Sequence, residues 1–316
     1  SEIILQQTQI KQGLPYYNKF IELYPNVKSL SESSEKEVLK NWEGLGYYSR
    51  ARNLHKTSKL VVDNYKSKFP NSYSELIKLP GIGDYSASAI SSFSNDEINP
   101  VVDGNVYRFI SRLFGISTVI NTSSSLKEFK NLLNKLICLN NPSDFNQAIM
   151  EFGALVCKPK TPNCNVCIYN KVCFSLKNNS VFNFPVKKKS SKSKSRFLNY
   201  FIIIDKKNRI MVEERTKKDI WRNLYQFPLI ESDVNLNKHL LNECLNLSKI
   251  PISKINDLEL VETVNHKLSH QNLKINFWFN NVNKLNDNSV SISELSNLPF
   301  PKPLGSFIKT LNKFLK

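Results

Sequence analysis

The run from Cys157 to Cys173 constrains this chain more than any other stretch. It reads Cys157-Lys-Pro-Lys-Thr-Pro-Asn-Cys164-Asn-Val-Cys167-Ile-Tyr-Asn-Lys-Val-Cys173, a C-x6-C-x2-C-x5-C spacing. Four thiols in so short a run need either disulfides or a metal. Lysine, proline and asparagine fill the gaps, so no hydrophobic core holds the segment and a metal centre has to supply its order. Zinc ribbons usually pair two C-x2-C knuckles, whereas a single pair here has that spacing. Unequal gaps suit a four-iron, four-sulfur (4Fe-4S) cluster, with a four-cysteine zinc site as the other reading. The two remaining cysteines, Cys138 and Cys244, stand apart and read as small buried hydrophobes. This usage suits a reducing, cytoplasmic compartment better than a secreted disulfide scaffold.

The chain has 316 residues, enough for two domains, and 41% of them are hydrophobic, which supports folded cores. A formal charge of +17 points to a polyanionic partner, nucleic acid ahead of a membrane surface. No apolar run approaches the roughly 18 residues that span a bilayer, and no signal peptide is present.

From Ser1 to Phe184 the hydrophobic pattern is helical. Ile3, Ile4 and Ile10 suggest a first helix, and Pro15 starts a second carrying Phe20 and Tyr24. Further helices are predicted near 35–42, 49–64, 72–78, 84–94, 105–114, 124–138 and 144–155. Residues 187–196 then hold six basic residues and no acid, which reads as a solvated linker over 185–197. Beyond it the pattern turns to strands: a hairpin over 200–213, then 258–262 and 273–279, with helices near 234–247 and 304–315. The second half is therefore α+β.

Two further motifs carry chemistry. In Leu79-Pro80-Gly81-Ile82-Gly83, two glycines in a tight turn let backbone amides approach a phosphate ahead of a helix N-terminus. Ser72 and Glu75 are expected to form a capping box for the preceding helix, and Asp84 to cap the following one. In Pro100-Val-Val-Asp103-Gly104-Asn105, Asp103 follows an extended stretch and opens a helix. Its carboxylate would be held ionised by the first-turn amides.

The order of an L-P-G-x-G hairpin, V-D-G-N-V and the cysteine run resembles the iron–sulfur helix–hairpin–helix DNA glycosylases. Ser1-Glu2 through Gln6-Gln7-Thr8-Gln9, and Gly44-Leu-Gly46-Tyr47-Tyr48 onward, are similar to MutY-type adenine DNA glycosylases. Trp221-Arg-Asn-Leu-Tyr-Gln-Phe-Pro228 and Leu268-Ser269-His270 resemble that family's Nudix-like domain. The likeness covers nearly the whole chain. It implies a multidomain fold: an all-α glycosylase domain with the cluster loop (1–184), the linker, and an α+β Nudix-like domain (198–316).

The resemblance also implies roles. Glu2 would be the general acid that protonates adenine, a task for a buried carboxyl of raised pKa. Asp103 would stabilise the oxocarbenium-like sugar, with Tyr85 and Asn105 completing the catalytic set. Bifunctional relatives carry a lysine where Tyr85 stands, so base removal without strand cleavage is expected. Gln7 and Tyr47 would enter the duplex near a flipped adenine, and Gly81 and Gly83 would meet the backbone. Arg50, Arg52 and Lys56 read as phosphate neutralisers. Cys157, Cys164, Cys167 and Cys173 would ligate the cluster. Ser269 and His270 would read 8-oxoguanine opposite the adenine, although the family's Phe before that pair is Leu268 here. Residues 197–316 hold one glycine, Gly305, and no R-E-x-x-E-E run, so nucleotide hydrolysis is not expected. The implied partner is double-stranded DNA carrying A:8-oxoguanine or A:G mispairs, bound by a monomer at a bacterial nucleoid. Family members place a few dozen residues before the Ser-Glu, so the chain is expected to be N-terminally truncated. An inactive iron–sulfur DNA-binding protein and a glycosylase for a related mispair are the alternatives.

Overall fold

A computed structural model describes residues 1–188, 193–236, 238–246, 248, 250–251, 258–285 and 289–311. The middle of the linker segment and the end of the 304–315 helix lie outside these residues. In chain order the helices are α1 (Glu2–Leu5), α2 (Ile10–Leu23), α3 (Val27–Glu32), α4 (Glu35–Asn41), α5 (Tyr48–Asn64), α6 (Tyr73–Leu76), α7 (Asp84–Asn95), α8 (Gly104–Phe114), α9 (Ser123–Leu133), α10 (Pro142–Leu155) and α11 (Phe174–Lys177). Strands β1 (Lys194–Asp205), β2 (Arg209–Met211), β3 (Glu213–Glu214), β4 (Tyr225–Gln226) and β5 (Leu229–Ser232) follow. Then come α12 (Lys238–Asn246), β6 (Glu259–Lys267), β7 (Gln271–Val282), β8 (Ser289–Ser291) and α13 (Lys302–Thr310).

The chain forms two compact units. One comprises Ser1–Gln9 with Lys56–Ser190, the other Ile10–His55 with Ser191–Lys316. Residues 10–55 thus group with the C-terminal region, whereas the sequence suggests one cut near 184. The reason is specific pairing: the Asn223 amide donates to Glu35 at 2.6 Å and Arg52 donates to the Arg222 carbonyl at 2.8 Å.

In the first unit, α8, α9 and α10 enclose a core of Val106, Phe109, Ile110, Phe129, Leu133 and Ile149. Gly153 of α10 allows close approach, since a Cβ there would sit 2.7 Å from the Asn105 carbonyl oxygen. Capping departs from expectation in two places. Ser72 makes no side-chain cap, because Glu75 is taken by Lys78 and by the Tyr65 hydroxyl. Asp84 lies inside α7, behind the N-cap Gly83, and accepts from Tyr73 and Lys130 instead. In the second unit α2 begins at Ile10 and runs through Pro15, so the proline lies inside a helix it was expected to start.

The large sheet runs β6-β7-β1-β2-β8, with β5 pairing the other part of β1. β1 and β7 are parallel, Phe197 to Ile204 facing Lys274 to Asn281. Because β1 is central, both its faces are apolar. Tyr200, Ile202 and Ile204 pack with Phe277, Phe300 and Phe307, while Phe201 and Ile203 meet Leu241 and Trp278. β1 begins at Lys194, so the end of the basic segment is strand rather than tether, and Arg196 is 5% exposed.

Arg196 and Arg215 are buried against Asp219 and Glu231. Burial alone would raise the Asp219 carboxyl. The guanidinium of Arg196, the Ile220 amide and Arg215 outweigh it and hold the group at about 2, against roughly 3.9 in an unfolded chain. A folded value below the unfolded one contributes stability that is complete above about pH 4 and lost as pH falls towards 2. An acid titration followed by near-ultraviolet circular dichroism should show that loss in the native protein, and Asp219→Asn should flatten it.

Candidate active site and cluster loop

Three segments of the first unit converge. α1 brings Glu2, α7 brings Tyr85, and the N-cap of α8 is Asp103. Tyr85 is half-buried, and its hydroxyl senses both carboxylates. Burial first, then the charges of Glu2 and Asp103 and a hydrogen bond donated to Glu2, push its pKa far up. The phenol therefore stays protonated between the two acids. Asp103 Oδ1 accepts from the amides of Asn105 (2.9 Å) and Val106 (2.8 Å), and Oδ2 from the Asn105 side chain (2.8 Å). Backbone donors and the positive end of α8 thus fix the direction of this carboxylate.

Asn105 is itself held. Arg108 donates to the Asn105 side-chain oxygen at 2.9 Å, to the Gly153 carbonyl at 2.6 Å and to the Cys157 carbonyl at 2.7 Å. A continuous chain of hydrogen bonds links Asp103 to the first cysteine of the run. One turn later Arg112, 3% exposed, donates to the carbonyls of Lys158, Pro159, Val181 and Phe184 and meets Cys157 Sγ at 3.5 Å. Neither arginine stands out in the motifs. The available signal is two arginines four apart within the apolar run Val106 to Leu113.

Cys157, Cys164, Cys167 and Cys173 line one hollow, together with Phe109, Leu113 and Leu176. Burial, then the neighbouring sulfurs, push the Cys164 thiol up. Four mutually opposed thiolates are a donor set that a cationic group would relieve. Among the described residues no three His, Cys, Asp or Glu side chains stand close enough for a single metal ion.

The hairpin carries Gly81 at φ +77°, while Gly83 caps α7 with open space where a Cβ would be. Gln6 ties the end of α1 to this turn and to α7, donating to the Gly81 carbonyl at 3.4 Å and to the Ser86 hydroxyl at 2.6 Å. Gln7 is exposed and left-handed at φ +53°. In the second unit Tyr47 is likewise left-handed, at φ +49°, and 48% exposed. Exposed non-glycine residues in this region are uncommon and cluster at functional sites. Arg50 does not face solvent as its reading as a phosphate neutraliser requires. It is buried between the Trp42 and Tyr47 rings and donates to the Gly46 carbonyl. Arg52 is half-buried on the Arg222 carbonyl, while Lys56 is exposed. Ser269 and His270 are exposed neighbours, 3.2 Å apart between Oγ and Nδ1. With Tyr47, Ser49 and Trp221 they line one cavity of that unit.

Residues 1–135 match the HhH-GPD superfamily of base excision DNA repair proteins, and residues 199–310 match the NUDIX domain. The adenine DNA glycosylase of Buchnera aphidicola subsp. Schizaphis graminum is 38% identical over 275 residues, covering 87% of this chain and 77% of that relative. The corresponding protein of Buchnera aphidicola subsp. Baizongia pistaciae is 36% identical, covering 99% and 89%. The chain belongs to the adenine DNA glycosylase family. Membership makes it a base excision repair enzyme, a hydrolase of N-glycosyl bonds. Among solved structures, a thermostable thymine-DNA glycosylase aligns with TM-score 0.52 and 28% identity over 56% of this chain and 82% of its own. An endonuclease III–DNA complex, at TM-score 0.51 and 24% identity, shares the helical fold. Among the described residues no helix is long and apolar enough to cross a membrane.

Proposed function

We propose that this chain is a monofunctional glycosylase that releases adenine mispaired with 8-oxoguanine or guanine, acting as a monomer on double-stranded DNA. The observation that carries the reading is the convergence of Glu2 and Asp103 on the Tyr85 hydroxyl within one unit. Glu2 donates a proton to a ring nitrogen of the flipped adenine, and the bond between base and sugar carbon breaks with its electron pair leaving on the base. Positive charge develops on the sugar, where the amide-oriented Asp103 carboxylate stabilises it. Water then adds to that carbon, and its proton goes to the Glu2 carboxylate, which restores the acid. Tyr85 is protonated and supplies no amine, so no Schiff base forms.

The amides of the Gly81–Gly83 turn suit a phosphate oxygen, and Gln7 and Tyr47, exposed and left-handed each in its own unit, are the side chains suited to enter the duplex. Ser269 and His270 offer donors and acceptors to the edge of the opposing base. The four cysteines would hold a 4Fe-4S cluster, which supplies mechanical order to the loop between Cys157 and Cys173. The test is single-turnover release of adenine from A:8-oxoguanine and A:T duplexes, with borohydride added in parallel. Release from the first alone, with negligible trapped protein–DNA adduct, is the expected result. Absent release, or strong trapping, would overturn the reading.

A further inference from the structure

Beside the Gly44–Ser49 segment, two walls of the cavity that carries Ser269 and His270 come from distant parts of the chain. One is the turn Asp219-Ile220-Trp221, and the other is the β6–β7 hairpin, closed by the Leu268 amide on the Gln271 carbonyl at 2.8 Å. The Trp221 and His266 rings face each other across it, 6.2 Å between centroids.

A single buried side chain, Arg196, grips both walls. Arg196 Nη1 donates to Gln271 Oε1 at 2.8 Å, immediately after His270, and to Asp219 Oδ1 at 3.2 Å. Its Nη2 reaches Asp219 Oδ2 at 2.5 Å and its Nε reaches Glu231 at 2.7 Å. Asp219 is steadied from the other side by Arg215 at 3.0 Å, which also donates to the Ile220 carbonyl at 2.9 Å. Arg196 and Arg215 are 5% and 4% exposed. A buried ion pair is weak evidence for stability, because an apolar replacement often serves as well. A planar guanidinium with several fixed donors does something an apolar group cannot: it sets directions and spacing.

We propose that Arg196 is a positioning residue for mispair selectivity, holding the Ser269–His270 hairpin at a set distance from the Trp221 wall without touching DNA. The proposal rests on the reading of Ser269 and His270 as the contacts to the opposing base. Guanine and 8-oxoguanine differ by one carbonyl oxygen and one N–H on the ring, so discrimination depends on where a few polar atoms stand. The groups proposed for base release belong to the other unit, and a slackened hairpin leaves them in place.

The experiment compares single-turnover adenine release from A:8-oxoguanine and A:G duplexes for the native protein, Arg196→Lys, Gln271→Leu and Ser269→Ala. Gln271→Leu removes only the hairpin's acceptor and leaves every charge paired, so it decides the matter if Arg196→Lys fails to fold. In Gln271→Leu the rate ratio between the two duplexes is expected to fall about tenfold, the lower end for one hydrogen bond to a charged group, with the A:G rate within about twofold. An unchanged ratio in Gln271→Leu, when Ser269→Ala lowers it, overturns the role of Arg196 alone. An unchanged ratio in Ser269→Ala overturns the underlying reading as well.

Discussion

Replacing Glu2 with glutamine is expected to lower single-turnover adenine release by about three orders of magnitude, within the range typical of a lost general acid. The substitution is nearly isosteric. The glutamine amide oxygen still accepts the Tyr85 hydroxyl, and the neighbouring Ile4, 5% exposed, keeps its packing. The transferable proton and the carboxylate charge beside Tyr85 are what the substitution removes. Affinity for the A:8-oxoguanine duplex should therefore stay within about twofold, because phosphate contacts supply most of it. A loss of release below tenfold would show that the leaving base takes its proton elsewhere.

Arg112→Gln is expected to cost about 4 kcal/mol of stability and to lower the iron retained by the loop proposed above to hold the 4Fe-4S cluster. The carbonyls of Lys158, Pro159, Val181 and Phe184 all depend on this one guanidinium. Leaving a buried acceptor without its donor costs about 1–3 kcal/mol each, and a glutamine amide can restore one of the four. These carbonyls come from segments on either side of the hollow, so their loss loosens the mount of Cys157 and Cys173 together. Chemical denaturation and iron content measure the two effects. Unchanged values for both would mean that the loop holds itself. Arg112→Lys should fall between, since an ammonium reaches fewer acceptors at once.

These two residues also mark how far the sequence was readable. Asp103 could be placed at a helix start because its cap is local, with partners two and three residues away. The cysteine spacing is equally local. Apart from the Asn105 contact of Arg108, Arg108 and Arg112 find the partners named above 45 to 72 residues on, and nothing in a short window announces such distances. The same holds for Arg196, which looked like part of a solvated linker until β7 supplied Gln271 from 75 residues away. Asp84 shows the opposite failure. Its position promised a cap, but Lys130 and Tyr73 offered stronger charge and hydrogen-bond partners than the backbone did. Pro15 misled as well, because α2 begins at Ile10 and continues through the proline to Leu23.

The geometry of α8 has a consequence for how this family can vary. Asp103 at its start, Asn105 and Arg108 within it, and Arg112 near its end must all point to separate addresses at once. A helix advances about 1.5 Å and turns about 100° with each residue. Inserting or deleting one residue between Asn105 and Arg108 would keep the helix but swing both guanidiniums a quarter-turn away from the cysteine loop. Gly115 fixes the far end as well, left-handed at φ +73° with the Phe174 ring where a Cβ would be. This segment serves as a ruler between the acid at one end and the thiols at the other: it can exchange letters, but it cannot change length.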